Sequence, residues 1–403
     1  MAGLVFKSAG ESHGPQLTGI LEGLPSGLRV DFERLAADMA ERQKGFGRGG
    51  RMKIERDHCE VTAGVRHGIT LGSPIAFQIA NKDWANWQSA MSVTDDRPEP
   101  SSERESQLSQ PRTVPRPGHA DLAGAQKHHF ADLRNVLERA SARETAVRVA
   151  AGAFAKMFLS EFGVETACHV RRIGGAVAPD QPWTVADIRT KTADSDVRCV
   201  DPKAAEAMRD AIKHAAASAD TLGGVVEVVA TGLVPGIGDH TQWDSKLDGI
   251  FARALMSVHS IKAVAIGDGV AQAGRLGSTV HDEILFDTSR TPGQSAFHRS
   301  SNRAGGLEGG ITNGEDIVLR AYAKPISTLN KPLQSVDIHS KAAAAAFVER
   351  SDICSVPAAA VVCEAMVALV LADAYLSSFG SGALGDILAR FRLYKSGIDD
   401  FHV

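Results

Sequence analysis

The stretch VPAAAVVCEAMVALVLADAYL, residues 356–376, constrains the fold more than any other part of the chain. It has almost no polar face, so a helix built from it must be covered on several sides at once. Either a bilayer or a thick protein core could do that. A spanning helix needs about 20 mostly uncharged apolar residues, whereas Glu364 and Asp373 interrupt this alanine-rich run. It therefore reads as a helix buried in protein. A chain of 403 residues, 43% of them hydrophobic, can supply such a core. Size alone leaves open one large domain or two or three smaller ones.

The rest of the pattern mixes strands and helices. Leu4, Val5 and Phe6, and then Leu17 to Leu21, flank the glycine-rich GESHGP turn and predict strand, turn, strand. Asp31 to Arg42 has helical spacing, with Leu35, Met39 and Phe32 on one face and Asp31 as N-cap. Strands are predicted within Met52–Val65, at Ile75–Ile79, after Gly223-Gly224, at Ile261–Ile266 and at Ile317–Tyr322. Helices are predicted over Lys127–Phe162 (one long or two abutting), Lys246–Val258 and Ala342–Leu376. Residues 85–118 are polar and proline-rich and predict a long irregular loop of the kind that often carries function. A less ordered tail is expected from about 380 to 403. No repeat or linker is visible, so the reading is one α+β domain spanning 1–403.

Charge and cysteine usage narrow the function classes. Lys+Arg 44 against Asp+Glu 48 gives a net charge of -4, so no general attraction to nucleic acid or an anionic membrane is expected. Cys59, Cys168, Cys199, Cys354 and Cys363 are scattered and odd in number, which fits reduced thiols in the cytoplasm and neither a zinc site nor a disulfide framework. The opening MAGLVFKSAGESHG has no basic segment followed by a long apolar run, which argues against a signal peptide.

Short motif matches are weak. Gly45 to Gly50 satisfies G-x-G-x-x-G, but it follows a helical pattern and precedes a strand-like one, the reverse of a dinucleotide site. Gly10 to Gly14 satisfies G-x-S-x-G without the helix that a nucleophile elbow requires. His128 and His129 are adjacent on a helix and point in different directions, which is poor geometry for a shared metal. The distribution of basic residues says more. Arg42, Lys44, Arg48, Arg51, Lys53 and Arg56 crowd around flexible glycines, and Arg116 and His119 share the turn RPGHAD. Glycines let backbone approach a ligand and arginine forks bind phosphate or carboxylate. A phosphorylated or polycarboxylate ligand and a solvated basic face both remain open from composition.

Longer blocks carry a resemblance. GESHG, RQKGFGRGGRMKIERD, VRHGITLGSPIAF with NKDW, RPGHADLAGAQKH, LERASARETAVRVAAGAFAK, NRAGGLEGGITNGEDIVLRAYAKPISTL and VERSDICSVPAAAVVCEAM together resemble the chorismate synthase family, in order, from about residue 7 to about residue 378. The resemblance implies helices sandwiched between antiparallel sheets, a homotetramer, and a shikimate-pathway lyase of aromatic amino acid biosynthesis. Such an enzyme removes phosphate from 5-enolpyruvylshikimate 3-phosphate by 1,4-elimination to give chorismate. The proton lost is not next to a carbonyl, so a cofactor must carry the hard step; the resemblance implies reduced FMN, with NADPH only as a source of flavin reduction.

The resemblance also assigns residues. His13 is the implied general acid toward departing phosphate, His119 the implied stabiliser of reduced flavin, and Asp352 the implied aid to proton movement. Ser12, Arg42, Arg48, Arg51, Arg116 and Arg143 are the implied substrate ligands. For FMN the similar positions are Arg139, Ala140, Ser141, His259, Ser260, Gly309, Lys324, Pro325, Ile326, Ser327, Thr328 and Arg350. Two departures stand out: His259-Ser260 replaces an expected Asn-Ala or Gln-Ala, and Lys44 a residue that is usually small. A non-catalytic flavin or phosphometabolite binder on the same fold would keep the arginines without needing His13, His119 and Asp352 together.

Overall fold

The computed structural model describes residues 3–48, 57–96, 98–100, 102–287, 296–349, 351–399 and 401. Two antiparallel sheets enclose a helical layer. The first contains β1 (Val5–Ala9), β2 (Gln16–Glu22), β3 (Glu60–Ala63) and β4 (Ile75–Ala80) in the order β1-β2-β4-β3. The second contains β5 (Glu165–Ile173), β6 (Ala176–Val177), β7 (Gly224–Thr231), β8 (Ile261–Ile266) and β9 (Ile317–Ala323) in the order β8-β9-β7-β5-β6. The helices used below are α1 (Phe32–Gln43), α2 (Asp121–His128), α3 (Thr145–Ser160), α4 (Leu247–Met256), α5 (Val356–Phe379) and α6 (Leu384–Asp399). Helix α3 lies on β1, β2 and β4, α5 lies on β5, β7 and β9, and the two helices pack on each other. This is the α+β sandwich that the resemblance implies, and it buries the all-round apolar segment as its pattern requires.

Helix α5 is long and apolar enough to cross a bilayer, yet protein covers it along nearly its whole length. Its two acidic interruptions have partners. Glu364 accepts from Thr166 Oγ1 at 2.7 Å and lies 3.6 Å from Lys156 Nζ, which itself pairs with Asp38 at 2.7 Å. Burial pushes Glu364 up, but Lys156 and its hydrogen bonds outweigh this and hold its pKa below the usual range. Asp373 accepts from the Leu4 backbone N–H at 2.6 Å and so ties α5 to the start of β1. Helices α3 and α5 meet at Gly152, where a β carbon would sit 2.4 Å from Ala365 Cβ.

Four expectations change. Helix α5 begins at Val356, not Ala342: Pro357 fits only in a first turn, and Ala343–Ala345 instead pairs with Gln334–Val336 as a hairpin. The Lys127–Phe162 helix is broken, because His129 turns left-handed (φ 57) to end α2 and Ser141 is extended, capping Arg143 N–H before α3 begins. The loop 85–118 contains a helix, Glu103–Ser109, capped by Ser102, and a buried anchor, Trp87. The expected tail is mostly α6, because Leu384, Ile387 and Phe391 have a core to enter, with Phe391 edge-on to Phe162 at 5.1 Å. Within Met52–Val65 the strand is Glu60–Ala63, and residues 51–56 lie outside the described residues.

Candidate active site

The breaks in the expected long helix create the site. They turn Glu138, Ala140, Ser141 and Arg143 inward toward the GESHG turn between β1 and β2. A cavity of about 550 Å³ opens there, closed on its other sides by the loop after α1, the RPGHAD turn, the segment after β9 and the approach to α5. Ser12, His13, Arg42, Arg48, Arg116, His119, Arg143 and Asp352 all line it, from blocks far apart in sequence.

Its cations are held by buried carboxylates. Asp57 receives Arg143 Nη1 at 2.6 Å and Arg42 Nη1 at 3.2 Å. Arg42 also donates to Thr145 Oγ1 and the Ala142 carbonyl, both at 3.0 Å, which fixes its guanidinium against the start of α3. Burial, only partly offset by Asp57, lowers the Arg42 pKa to about 10, with Arg143 and Arg48 adding to the fall. Arg48 reaches from the glycine loop to Asp352, 2.9 Å from Nε to Oδ2.

Each of the two imidazoles has a carboxylate behind it. His13 Nδ1 lies 3.0 and 2.9 Å from the two Glu138 oxygens, and its ring stacks on Trp87 with centroids 3.7 Å apart. Burial pushes Glu138 up, but contacts with His13 and the charge of Arg134 leave its pKa below the ordinary value. His119 Nδ1 is 2.5 Å from Asp121 Oδ1. Asp121 is buried, which raises its pKa, yet His119 and Arg116 overcome this and hold it well below the carboxylate range. Arg116 spans the junction, donating through Nε to Asp121 at 2.9 Å and through Nη1 to Thr328 at 3.0 Å.

Four findings decide the family. Residues 4–376 match the chorismate synthase family. The chain is 51% identical to the chorismate synthase of Geobacter sulfurreducens over 400 residues, covering 99% of this chain and 100% of that protein. It is 52% identical to that of Symbiobacterium thermophilum, covering 98% and 99%. A crystal structure of chorismate synthase superimposes with a TM-score of 0.78 at 38% identity, over 100% of both chains. The chain belongs to the chorismate synthase family.

Within this chorismate synthase fold the residues expected to contact a flavin divide. Ala140, Ser141, His259, Ser260, Lys324, Ile326, Ser327 and Thr328 line the cavity. Arg139 does not: its guanidinium donates to the Gly10 and Ser8 carbonyls at 2.9 and 3.0 Å and braces the end of β1. Pro325 is also absent from the lining, and Gly309 lies in a separate hairpin formed by Leu307–Glu308 and Ile311–Thr312. Arg51 and Arg350 lie outside the described residues. At the family departure, His259 Nδ1 stands 3.7 Å from Glu144 Oε1, and Ser260, in the left-handed region (φ 69), accepts the Lys324 N–H at 2.9 Å through its carbonyl. Burial lowers the His259 pKa, against the pull of Glu144.

Sequence reasoning missed the anions. Asp57, Asp121 and Glu138 each sit within a block already quoted, but only Asp121 lies next to the residues it pairs with, Arg116 and His119. For Asp121 an acidic residue inside a basic turn is a usable signal, whereas Glu138 and Asp57 meet His13 and Arg143 from 125 and 86 positions away.

Proposed function

We propose that this chain converts 5-enolpyruvylshikimate 3-phosphate to chorismate and inorganic phosphate by 1,4-elimination, with reduced FMN as cofactor. The observation that carries the reading is the convergence on one cavity of His13, His119 and Asp352 with Arg42, Arg48, Arg116 and Arg143. A binding protein would need the cations but not two carboxylate-backed imidazoles.

The cavity fits a flavin in size and donor chemistry. A volume of about 550 Å³ falls in the range of small-ligand sites. Lys324, Ser327 and Thr328 put a cation and hydroxyls along one edge, suited to a phosphate. Gly118, at φ 79, shapes the turn whose carbonyl accepts Lys324 Nζ at 2.9 Å and so holds the cation at that edge. In this reading Ser141, Ser260, Lys324, Ser327 and Thr328 hold FMN. When bound in its reduced form, the flavin supplies the electron density that an unactivated elimination requires.

The chain's own residues do the rest. Arg42, Arg48 and Arg143 fix the phosphate and carboxylates of a trianionic substrate, in a geometry set by Asp57 and Asp352. His13 delivers a proton from Nε2 to the oxygen that leaves with phosphate. His119, oriented by Asp121, places its other nitrogen toward the flavin side of the cavity. Asp352, paired with Arg48, stands where a proton can be passed onward. NADPH has a place only as a source of flavin reduction. Five buried cysteines with no disulfide, Cys354 pushed by burial up to about 11, support a reducing cytoplasm. Exposed Trp243, Ile284 and Phe286 support further burial in a homotetramer.

The test is an anaerobic assay with reduced FMN, following chorismate absorbance and phosphate release together. Stoichiometric appearance of both supports the reading. Absence of both from folded, flavin-loaded protein rejects it.

A further inference from the structure

The GESHG turn is held by Glu138 in four places. The Glu138 carboxylate meets His13 Nδ1 with both oxygens, at 3.0 and 2.9 Å, and accepts the His13 backbone N–H at 3.0 Å. Its own backbone carbonyl accepts the Ser12 N–H at 3.0 Å. Glu138 is only 2% exposed, so solvent does not compete for these bonds. Trp87 stacks on the imidazole at an interplanar angle of 17° and removes its freedom to swing.

The second histidine is supported differently. Asp121 behind His119 takes three bonds from Arg116, through Nε, Nη2 and the backbone N–H, at 2.9, 3.1 and 3.1 Å. Its charge is already matched. Among the described residues the arginine paired with Glu138 is Arg134, whose Nη1 makes one contact at 3.4 Å while its Nη2 is occupied by the Leu108 carbonyl at 2.7 Å. The Glu138 carboxylate is therefore directed at His13.

We propose that Glu138 is the positioning residue of the elimination: it locks His13 with Nδ1–H toward its carboxylate, so that Nε2 is the nitrogen offered to the departing phosphate. This rests on the reading of His13 as general acid. In the step, the Nε2–H bond breaks, an O–H bond forms on the ester oxygen that keeps the C–O pair, and Nδ1–H stays with Glu138. Water restores the Nε2 proton after phosphate leaves. Glu138 itself takes no proton, consistent with contacts that hold its charged form.

The test pairs kinetics with a spectroscopic readout. Glu138→Gln keeps the shape and can present its amide nitrogen to Nδ1, favouring the other tautomer. With reduced FMN under anaerobic conditions, kcat should fall by about 10²–10⁴-fold, the range that general acid–base catalysis contributes, while KM changes less than about threefold. In ¹⁵N-histidine NMR of the flavin-loaded enzyme, assigned by its loss in His13→Asn, neutral His13 should carry its proton on Nδ1. If Glu138→Gln fails to fold, this measurement on the unmutated enzyme still decides: a proton on Nε2 with Nδ1 bare overturns the proposal. Unchanged kcat in folded Glu138→Gln also overturns it. His13→Ala separates the two readings. If it retains full turnover the acid role is lost, whereas if it is inactive and Glu138→Gln is unimpaired only the positioning role is lost.

Discussion

Arg48 Nε lies 2.9 Å from Asp352 Oδ2, joining the glycine-rich loop after α1 to the segment that leads into α5. The two residues come from opposite ends of the chain and meet at the cavity. In the proposed reaction the pair joins the cation assigned to the substrate and the carboxylate assigned to proton movement in one unit. Arg48→Ala should weaken substrate binding by about 2–5 kcal/mol, as for a charge pair broken on one side. Asp352→Asn, which keeps the shape, should lower kcat more than affinity. Calorimetric titration with substrate beside steady-state kinetics checks both, and equal substrate affinity in Arg48→Ala contradicts the placement.

Helices α3 and α5 touch with no room for a side chain at Gly152, 2.4 Å between the would-be β carbon and Ala365 Cβ. Gly152→Val should destabilise the protein by at least about 1–3 kcal/mol, the cost of overpacking a core. Urea unfolding measures it. Wild-type stability would mean that the helices separate without penalty.

Glu227 on β7 meets His169 Nε2 at 2.9 Å and Arg320 Nε at 2.6 Å. Burial pushes Glu227 up, but His169, Arg171 and Arg320 prevail and pull it from 4.5 to about 2. A folded pKa below the unfolded one gives stability that is present above the unfolded value and is lost as pH falls toward the folded one. Glu227→Gln should therefore be less stable than the parent at pH 7, with the gap closing between about pH 4.5 and 2. A gap independent of pH would show that packing, not charge, is responsible.

His259 gives a second pH signature. Burial lowers its pKa below the usual 6.5, so the unfolded chain binds the proton first and stability falls as pH drops through that value. His259→Asn, which restores an amide expected in the family, should lessen the fall in melting temperature between pH 7.5 and 5. An identical pH profile would contradict it.

The missing polar face of α5 made its burial in protein legible, while the sandwich around it was legible only through the resemblance of the longer blocks. The arginines and histidines that line the cavity were legible because they lie in those contiguous blocks. What the sequence hid was pairing across distance. His13 and Glu138 are 125 positions apart, and Arg143 and Asp57 are 86 apart, so nothing local announces either bond. The interruption between His129 and Thr145 was hidden for another reason: apolar residues at spacings of three and four continue through it. Only a left-handed histidine and a capping serine, neither distinctive in composition, stop the helix and turn Glu138 inward. Arg139 shows the reverse, since its place in a ligand block concealed the bonds that tie it to the end of β1.

In the proposed reaction one cavity brings a phosphate ester to His13 beside a flavin. A crystal structure of the complex with oxidised FMN and 5-enolpyruvylshikimate 3-phosphate measures this directly. The account predicts the ester oxygen within about 3.5 Å of His13 Nε2, the substrate anions on Arg42, Arg48 and Arg143, and the flavin ring beside His119. Substrate phosphate bound beyond reach of His13, or a flavin outside this cavity, would contradict it.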